Sequence, residues 1–507
     1  MRAQAQSKIS KANNPIPTLL LLFLLTVSFI PINCFTNLQR GSSTLVFSLQ
    51  SPPISRTGRI PQPKAATRPI GKATDSMEST EALKEVRDGY LVPLSVGSPS
   101  QVIHAYLDTG SDLTWVPCGN LTFDCIDCDD YRSLTIKPYG SFSPSRSSSS
   151  SRVACTSPLC MDLHSSDNPY DPCIITGCSL SSALNGNCAR PCPSFAYTYG
   201  GGVAAGTLIK DTLRVHGDGG GGVGGDSIIF GCAGSTYHEP IGIAGFGKGL
   251  LSLPSQLGIF QKGFFSYCFL PFKYANNPNI SSPLVIGDSA IASEEEGGGV
   301  QGGGILQFTP MLKSAMYPNY YYVGLEAVTV GNVTALDVPH SLRGFDFEGN
   351  GGMMVDSGTT YTHLPGPFYS ELLSALRRLI SYPRAVKHEQ LMGFDLCYAV
   401  PAPNNRINAD AGDEDLPTIA FHFLNNVSLI LPRDSSFYAV AAPVNSTVVK
   451  CLLYQSMGNG DGYGPAGVLG SFQQQNVQVV YDLKRDRIGF QATECASVAI
   501  KQGLHKP

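Results

Sequence analysis

Apolar and polar residues alternate along most of this chain in short runs, with turn residues between them. Tyr90-Leu91-Val92-Pro93-Leu94, closed by Val96-Gly97, reads as a strand, and so does Tyr321-Tyr322-Val323-Gly324-Leu325, closed by Val330-Gly331. Each leads towards a second apolar segment that ends in a carboxylate. Ala105-Tyr106-Leu107 runs into Asp108, and Met353-Met354-Val355 runs into Asp356. One helical stripe stands out, residues 367–380, with Phe368, Leu372, Leu373, Leu376 and Leu379 on one face. The glycine runs 219–225 and 297–304 lack periodicity and read as surface loops. The pattern predicts an all-β chain of short strands, with a pattern used twice. A repeat this long points to a duplicated half and not to a solenoid.

The repeated carboxylate carries the chemistry. The first copy reads Asp108-Thr109-Gly110-Ser111 and the second Asp356-Ser357-Gly358-Thr359-Thr360. Gly110 and Gly358 lack a Cβ and permit a sharp turn. Ser111 and Thr359 can hydrogen-bond the carboxylates and hold them. One Asp-Ser-Gly turn is ordinary; two inside matching flanks predict two lobes that face two carboxylates towards each other. Like charges held close cannot both ionise cheaply, so such a pair shares one proton over an acidic range.

These residues resemble the pepsin-fold aspartic proteases, of the plant nepenthesin or nucellin-like type. Asp108 through Val116 matches the family's first active-site motif, and Asp356 through Thr362 matches the second. Phe230-Gly231-Cys232, Phe265-Ser266-Tyr267-Cys268, Gly470 through Asn476, and Tyr481-Asp482-Leu483 extend the match over about Tyr90 to Cys495. The resemblance implies a bilobal fold with a central cleft between two related β-rich lobes and few short helices. It implies a catalytic pair of Asp108 and Asp356, supported by Ser111, Thr359, Gly110 and Gly358. No cofactor and no metal are required, and the implied partner is a polypeptide substrate cleaved at acidic pH. Tyr199 is the implied flap residue over the cleft, with Tyr197 the second candidate. Trp115 is implied to support the flap through its indole nitrogen and to line the cleft. The family carries polar residues after the flap tyrosine where this chain has Gly201, Gly202 and Val203. The resemblance also covers xylanase inhibitors and storage globulins whose active-site motifs are damaged. Here both motifs are intact, which favours an enzyme over an inactive binding protein.

The implied organisation is a signal peptide over 1–34, a prosegment or linker over 35–85, and an amino-terminal lobe over 86–262. The carboxy-terminal lobe covers 263–507. The stretch 118–192 resembles the cysteine-rich insertion of the nepenthesin-like enzymes. The first residues are basic, and Leu19 to Ile30 is apolar but short for a membrane span. Arg40, Arg56, Arg59, Lys64, Arg68 and Lys72 have no acidic partner before Asp75, so the following segment reads either as a solvated linker or as a basic prosegment.

Of 15 cysteines, Cys34 falls in the leader. The rest are Cys118, Cys125, Cys128, Cys155, Cys160, Cys173, Cys178, Cys188, Cys192, Cys232, Cys268, Cys397, Cys451 and Cys495, an even set that predicts disulfides in an oxidising compartment. The spacing of Cys125 and Cys128 also admits zinc, but no second pair stands at ligand spacing. Connectivity stays open; the resemblance makes Cys268–Cys495 and Cys397–Cys451 plausible. Sequons at Asn120, Asn279, Asn332, Asn426 and Asn445 predict glycosylation. A net charge of −4 with 15% charged residues gives no sign of a nucleic-acid surface. The reading is a monomer outside the membrane after processing, extracellular or in the cell wall, with vacuole or plastid as alternatives. Gly242 to Lys248 fits a phosphate-loop spacing, but Gly249 follows where Ser or Thr is needed for magnesium.

Overall fold

The structure is a computed structural model. It describes residues 45–49, 89–119, 124–128, 140–165, 171–199, 202–214, 226–239, 241–258, 263–275, 277, 279–287, 304–331, 334–402, 416–441, 447–458 and 463–504. All of these lie in one compact unit, Ser42–Pro507. The leader, most of 35–85, the glycine runs except Gly304, and Asn120, Asn332 and Asn445 lie outside the described residues.

The same local topology is built twice. In the first half, Gln101–Asp108 pairs antiparallel with Leu91–Val96 and parallel with Gly242–Gly245, which sets Gly245 opposite Asp108. In the second half, Met353–Val355 pairs antiparallel with Tyr322–Val323 and parallel with Gly467–Leu469, which sets Leu469 opposite Val355. The strand after each turn folds back on the same partner, Trp115 opposite Ile243 and His363 opposite Val468. Gly242–Gly245 is therefore a buried strand beside the first turn and not a phosphate loop. Parallel strands covered on both faces carry continuous apolar runs, which explains why Met353–Val355 does not alternate.

A six-stranded antiparallel sheet joins one strand from the 35–85 segment to five from the carboxy-terminal half. Its order is Leu45–Leu49, Ser282–Ile286, Phe264–Cys268, Val477–Asp482, Arg487–Ala492 and Gln307–Pro310. Its buried aromatics Phe265, Tyr267 and Tyr481, with the adjoining Phe269, stack on one another and on Tyr90 and meet Tyr321 edge-on, in one continuous core. The edge strand Leu45–Leu49 lies inside the span read as prosegment or linker. Counting cations there hid this short apolar run, whose Leu49 is fully buried.

The long helix runs Gly366–Leu379 and buries Phe368, Leu372, Leu373 and Leu376. Pro367 near its start costs no hydrogen bond, and Arg377 and Arg378 face the negative end of its dipole. All 14 remaining cysteines pair: Cys118–Cys232, Cys125–Cys128, Cys155–Cys173, Cys160–Cys192, Cys178–Cys188, Cys268–Cys495 and Cys397–Cys451. Three of these staple residues 155–192, the later part of the 118–192 insertion, where the described residues form short helices. Asn279 and Asn426 are exposed.

Candidate active site

Each Asp turn begins where a buried strand ends. Asp108 ends its strand, and the backbone carbonyl of Asp108 accepts from Phe246 N–H at 2.7 Å. Asp356 follows Val355, with its N–H bonded to the Leu469 carbonyl at 3.1 Å. The two turns then grip each other across the lobes. Thr109 N–H donates to Ser357 Oγ and Ser357 N–H donates to Thr109 Oγ1, both at 3.0 Å. Thr109 Oγ1 donates to the Val355 carbonyl at 3.1 Å, and Ser357 Oγ donates to the Leu107 carbonyl at 2.8 Å. Four buried bonds between sequence-distant residues fix the two loops in one geometry, because leaving any one of these groups unpaired there would cost about 1–3 kcal/mol.

The grip brings Asp108 and Asp356 together. A Cβ placed on Gly358 would lie 2.2 Å from Asp108 Oδ1, and one on Gly110 would lie 2.6 Å from Asp356 Oδ1. The glycines are needed for this close approach of the opposite carboxylate, and neither has a positive φ. Each carboxylate is held in the same way. Gly110 N–H and Gly358 N–H donate to the Oδ1 of their own Asp at 2.9 and 2.8 Å. Ser111 and Thr359 donate to the Oδ2 of theirs, both at 2.5 Å. Burial and the neighbouring Asp356 push the Asp108 carboxyl up to about 8, against the hydrogen bonds from Ser111 and Gly110. The Asp108 carboxyl thus holds its proton well above the ordinary carboxylate range, beside a site it interacts with.

A buried network lies beneath. Gln474 Nε2 donates to the carbonyls of Asp356 at 3.1 Å and Leu469 at 2.8 Å, while its Oε1 accepts from Tyr267 OH at 2.5 Å. Tyr267 OH and Tyr481 OH lie 2.9 Å apart. Gln474, Tyr267 and Tyr481 stand in the segments that carry the family match, yet strand periodicity gives them no functional signal. Gln473 does related work, with its side chain bonded to Thr362 N–H and to the carbonyls of Ser435 and Leu453.

The hairpin over the site pairs Phe195–Tyr199 with Gly202–Arg214, Tyr199 standing opposite Gly202. Tyr199 packs on Trp115 with ring centroids 6.1 Å apart. That contact is ring against ring; Trp115 Nε1 makes no hydrogen bond among the described residues, so the implied indole support is replaced by packing. Tyr197 stands near the Asp108 loop, where burial and the nearby Asp112 carboxylate push the phenol far up. Tyr320 faces the same space and feels Asp112, Asp108 and Asp356. Neither Asp112 nor Tyr320 was singled out by sequence reasoning. Cys125 and Cys128, the zinc alternative, are bonded to each other.

Residues 90–288 match the family described as xylanase inhibitor N-terminal, and residues 320–492 match the one described as xylanase inhibitor C-terminal. A protein named a probable aspartyl protease, from Arabidopsis thaliana, is 35% identical, covering 81% of this chain and 83% of its own length. Aspartic proteinase nepenthesin-1 of Nepenthes gracilis is 30% identical over 80% of this chain and 78% of its own. Among solved structures, basic 7S globulin from soybean superposes with a TM-score of 0.55 at 18% identity, covering 90% of this chain and 100% of that one. Conglutin gamma from lupine seeds gives 0.55 at 16% identity, with 90% and 99% covered. At such identity these two structures show the fold alone.

Proposed function

We propose that this chain, which belongs to the plant family of pepsin-like aspartic proteases, is an aspartic endopeptidase that hydrolyses peptide bonds at acidic pH. The observation that carries the reading is the close approach of Asp108 and Asp356, each carboxylate occupying the space left by the other loop's glycine. Asp108 and Asp356 are the catalytic pair. The ionised carboxylate takes a proton from a water held between them. The protonated one hydrogen-bonds the scissile carbonyl oxygen and polarises its carbon. Attack gives a tetrahedral diol, and proton transfer to the leaving nitrogen breaks the C–N bond. Protons balance over the cycle, and no covalent enzyme intermediate is needed. Ser111 and Thr359 fix the outer oxygens, so each carboxylate presents its other oxygen to substrate. Tyr199, packed on Trp115, closes the hairpin over bound peptide and excludes water.

Seven disulfides and the exposed sequons Asn279 and Asn426 support passage through the secretory route to the extracellular space. The basic residues between Arg40 and Lys72 support a prosegment that neutralises the carboxylates before removal. A second reading, a binding protein without activity, is favoured by the small residues Gly202 and Val203 on the hairpin, which offer substrate no polar side chain.

Digestion of an acid-denatured protein at about pH 3–5 separates the two readings. The enzyme cleaves it, a statine-type inhibitor blocks cleavage, and Asp108→Asn lowers kcat by about 10³-fold or more, as expected when a general acid–base pair is lost. Wild-type protein that is folded yet leaves the substrate intact across that range would sink the protease reading.

A further inference from the structure

Asp112 follows the first catalytic motif and lies 8% exposed, beside the pair but not of it. The space around its carboxylate is cut to fit. A Cβ on Gly247 would lie 2.3 Å from Asp112 Oδ1, and one on Gly249 would lie 2.3 Å from Oδ2. Gly249 N–H donates to Oδ1 at 2.8 Å, and Asn319 Nδ2 borders the same space, 2.8 Å from the Cβ position of Gly249. The 245–249 turn that carries these glycines also wraps the catalytic loop: Gly247 N–H bonds the Ser111 carbonyl at 2.9 Å, and Gly245 N–H bonds Thr114 Oγ1 at 3.1 Å.

Asn319 belongs to the other half of the molecule. It precedes Tyr320–Val323, the segment whose Tyr321 carbonyl accepts from Val355 N–H at 2.9 Å, one residue before Asp356. The same segment meets the 245–249 turn twice more. Lys248 N–H donates to the Asn319 carbonyl at 2.8 Å, and Tyr321 OH donates to the Phe246 carbonyl at 2.8 Å. On its other side, the phenol of Tyr197, on the first strand of the hairpin, stands close enough to the Asp112 carboxylate to feel its charge. Asp112 thus stands where the loop that holds Asp108, the hairpin strand with Tyr197, and the segment that leads to Asp356 come together.

We propose that Asp112 is a positioning residue for the catalytic pair: through the glycine-lined 245–249 turn and Asn319 it locks the Asp108 loop to the segment that supports Asp356, beside Tyr197 of the hairpin. The proposal rests on the protease reading for its kinetic consequence, but the lock itself is a structural claim that can be read without activity. The groups facing the carboxylate are Asp108 and Ser111 on its own loop, Asp162 on the neighbouring helix Pro158–Ser165, Tyr197 on the hairpin, Lys248 on the turn, and Asn319 with Tyr320 opposite. Burial, with smaller contributions from Asp162 and Asp108, raises this carboxyl to about 6 against the influence of Gly249 and Asn319. Its ionisation therefore falls just above the working range.

The test compares Asp112→Ala, Asp112→Asn, Asn319→Ala and the double Asp112→Ala/Asn319→Ala. Asp112→Ala is expected to lower kcat by about 10-fold or more with a smaller change in KM, because loss of the lock misplaces groups that already bind. Asp112→Asn, which keeps an acceptor for Gly249, restores most of that loss. The double variant is no worse than Asp112→Ala, because both changes break one link. Kinetics within about two-fold of wild type in Asp112→Ala, or additive losses in the double, would overturn the proposal. If the wild type has no activity at any pH, the protease reading fails and melting decides the lock. The fall in wild-type Tm between about pH 4 and pH 7 is then shallower in Asp112→Asn, which has no charge to bury. Equal falls in the two proteins would overturn the lock as well.

Discussion

At the residue scale, the paired carboxylates are shaped by what cannot be there. Any side chain at position 110 or 358 would drive the pair apart, since the missing Cβ positions coincide with the opposing oxygens. The donor Ser111 then acts on the proton inventory. Ser111 lowers the Asp108 carboxyl, whereas burial and Asp356 raise it. Removing this donor in Ser111→Ala leaves the raising influences unopposed. The shared proton is then held to higher pH, so the alkaline limb of a pH–kcat profile moves up. The same variant lowers kcat by about 10-fold or more, as a loosened carboxylate loses its aim. An alkaline limb that moves down, or stays in place, would contradict this assignment of the hydrogen bond.

At the element scale, the two turns are held by strands and not by the turns' own residues. Each Asp is carried by a short buried strand between an antiparallel and a parallel partner. The helix Gly366–Leu379 packs on the strands Leu325–Val330, Thr334–Asp337 and Tyr454–Ser456, largely through apolar side chains. Leu372, fully buried on it, is a clean probe. Leu372→Ala is expected to cost about 2–5 kcal/mol of stability, the range for deleting a buried leucine side chain. Urea unfolding followed by tyrosine and tryptophan fluorescence would measure it, and a loss below about 0.5 kcal/mol would mean that the helix packs loosely. The strand Leu45–Leu49 makes a related point. An edge of Ser282–Ile286 that would otherwise stand open is covered by a segment that composition alone assigns to a linker.

At the scale of the whole molecule, the raised carboxyls make folding itself depend on pH. The ordinary value for Asp is 3.8; folding takes Asp108 to about 8 and Asp112 to about 6. Between those limits the folded chain binds protons that the unfolded chain has released. This contribution to stability is full below pH 3.8, and it is lost as pH rises through about 6 and then about 8. The expected result is a Tm that falls from about pH 4 to pH 8, and a fall that is smaller in Asp108→Asn. Calorimetry at fixed ionic strength checks it, and a Tm that rises over that interval would show that depressed carboxylates elsewhere dominate.

Much of this architecture was legible before any coordinates. The doubled Asp-hydroxyl-Gly motif, the strands leading into it, the helix at 367–380 and the even cysteine set all rest on local chemistry: a turn that needs no Cβ, a period of side chains, a count of thiols. Such signals are written within a few residues of one another, so sequence carries them. The tertiary structure decided the rest. It set Gly358 against Asp108, paired ten crowded cysteines, turned Trp115 into a packing surface, drew an apolar run from a basic segment into a sheet, and placed Asp112 against Asn319. These depend on contacts between residues far apart in the chain, whose partners are selected by the packing of two lobes and leave no periodic mark on either partner's own neighbourhood.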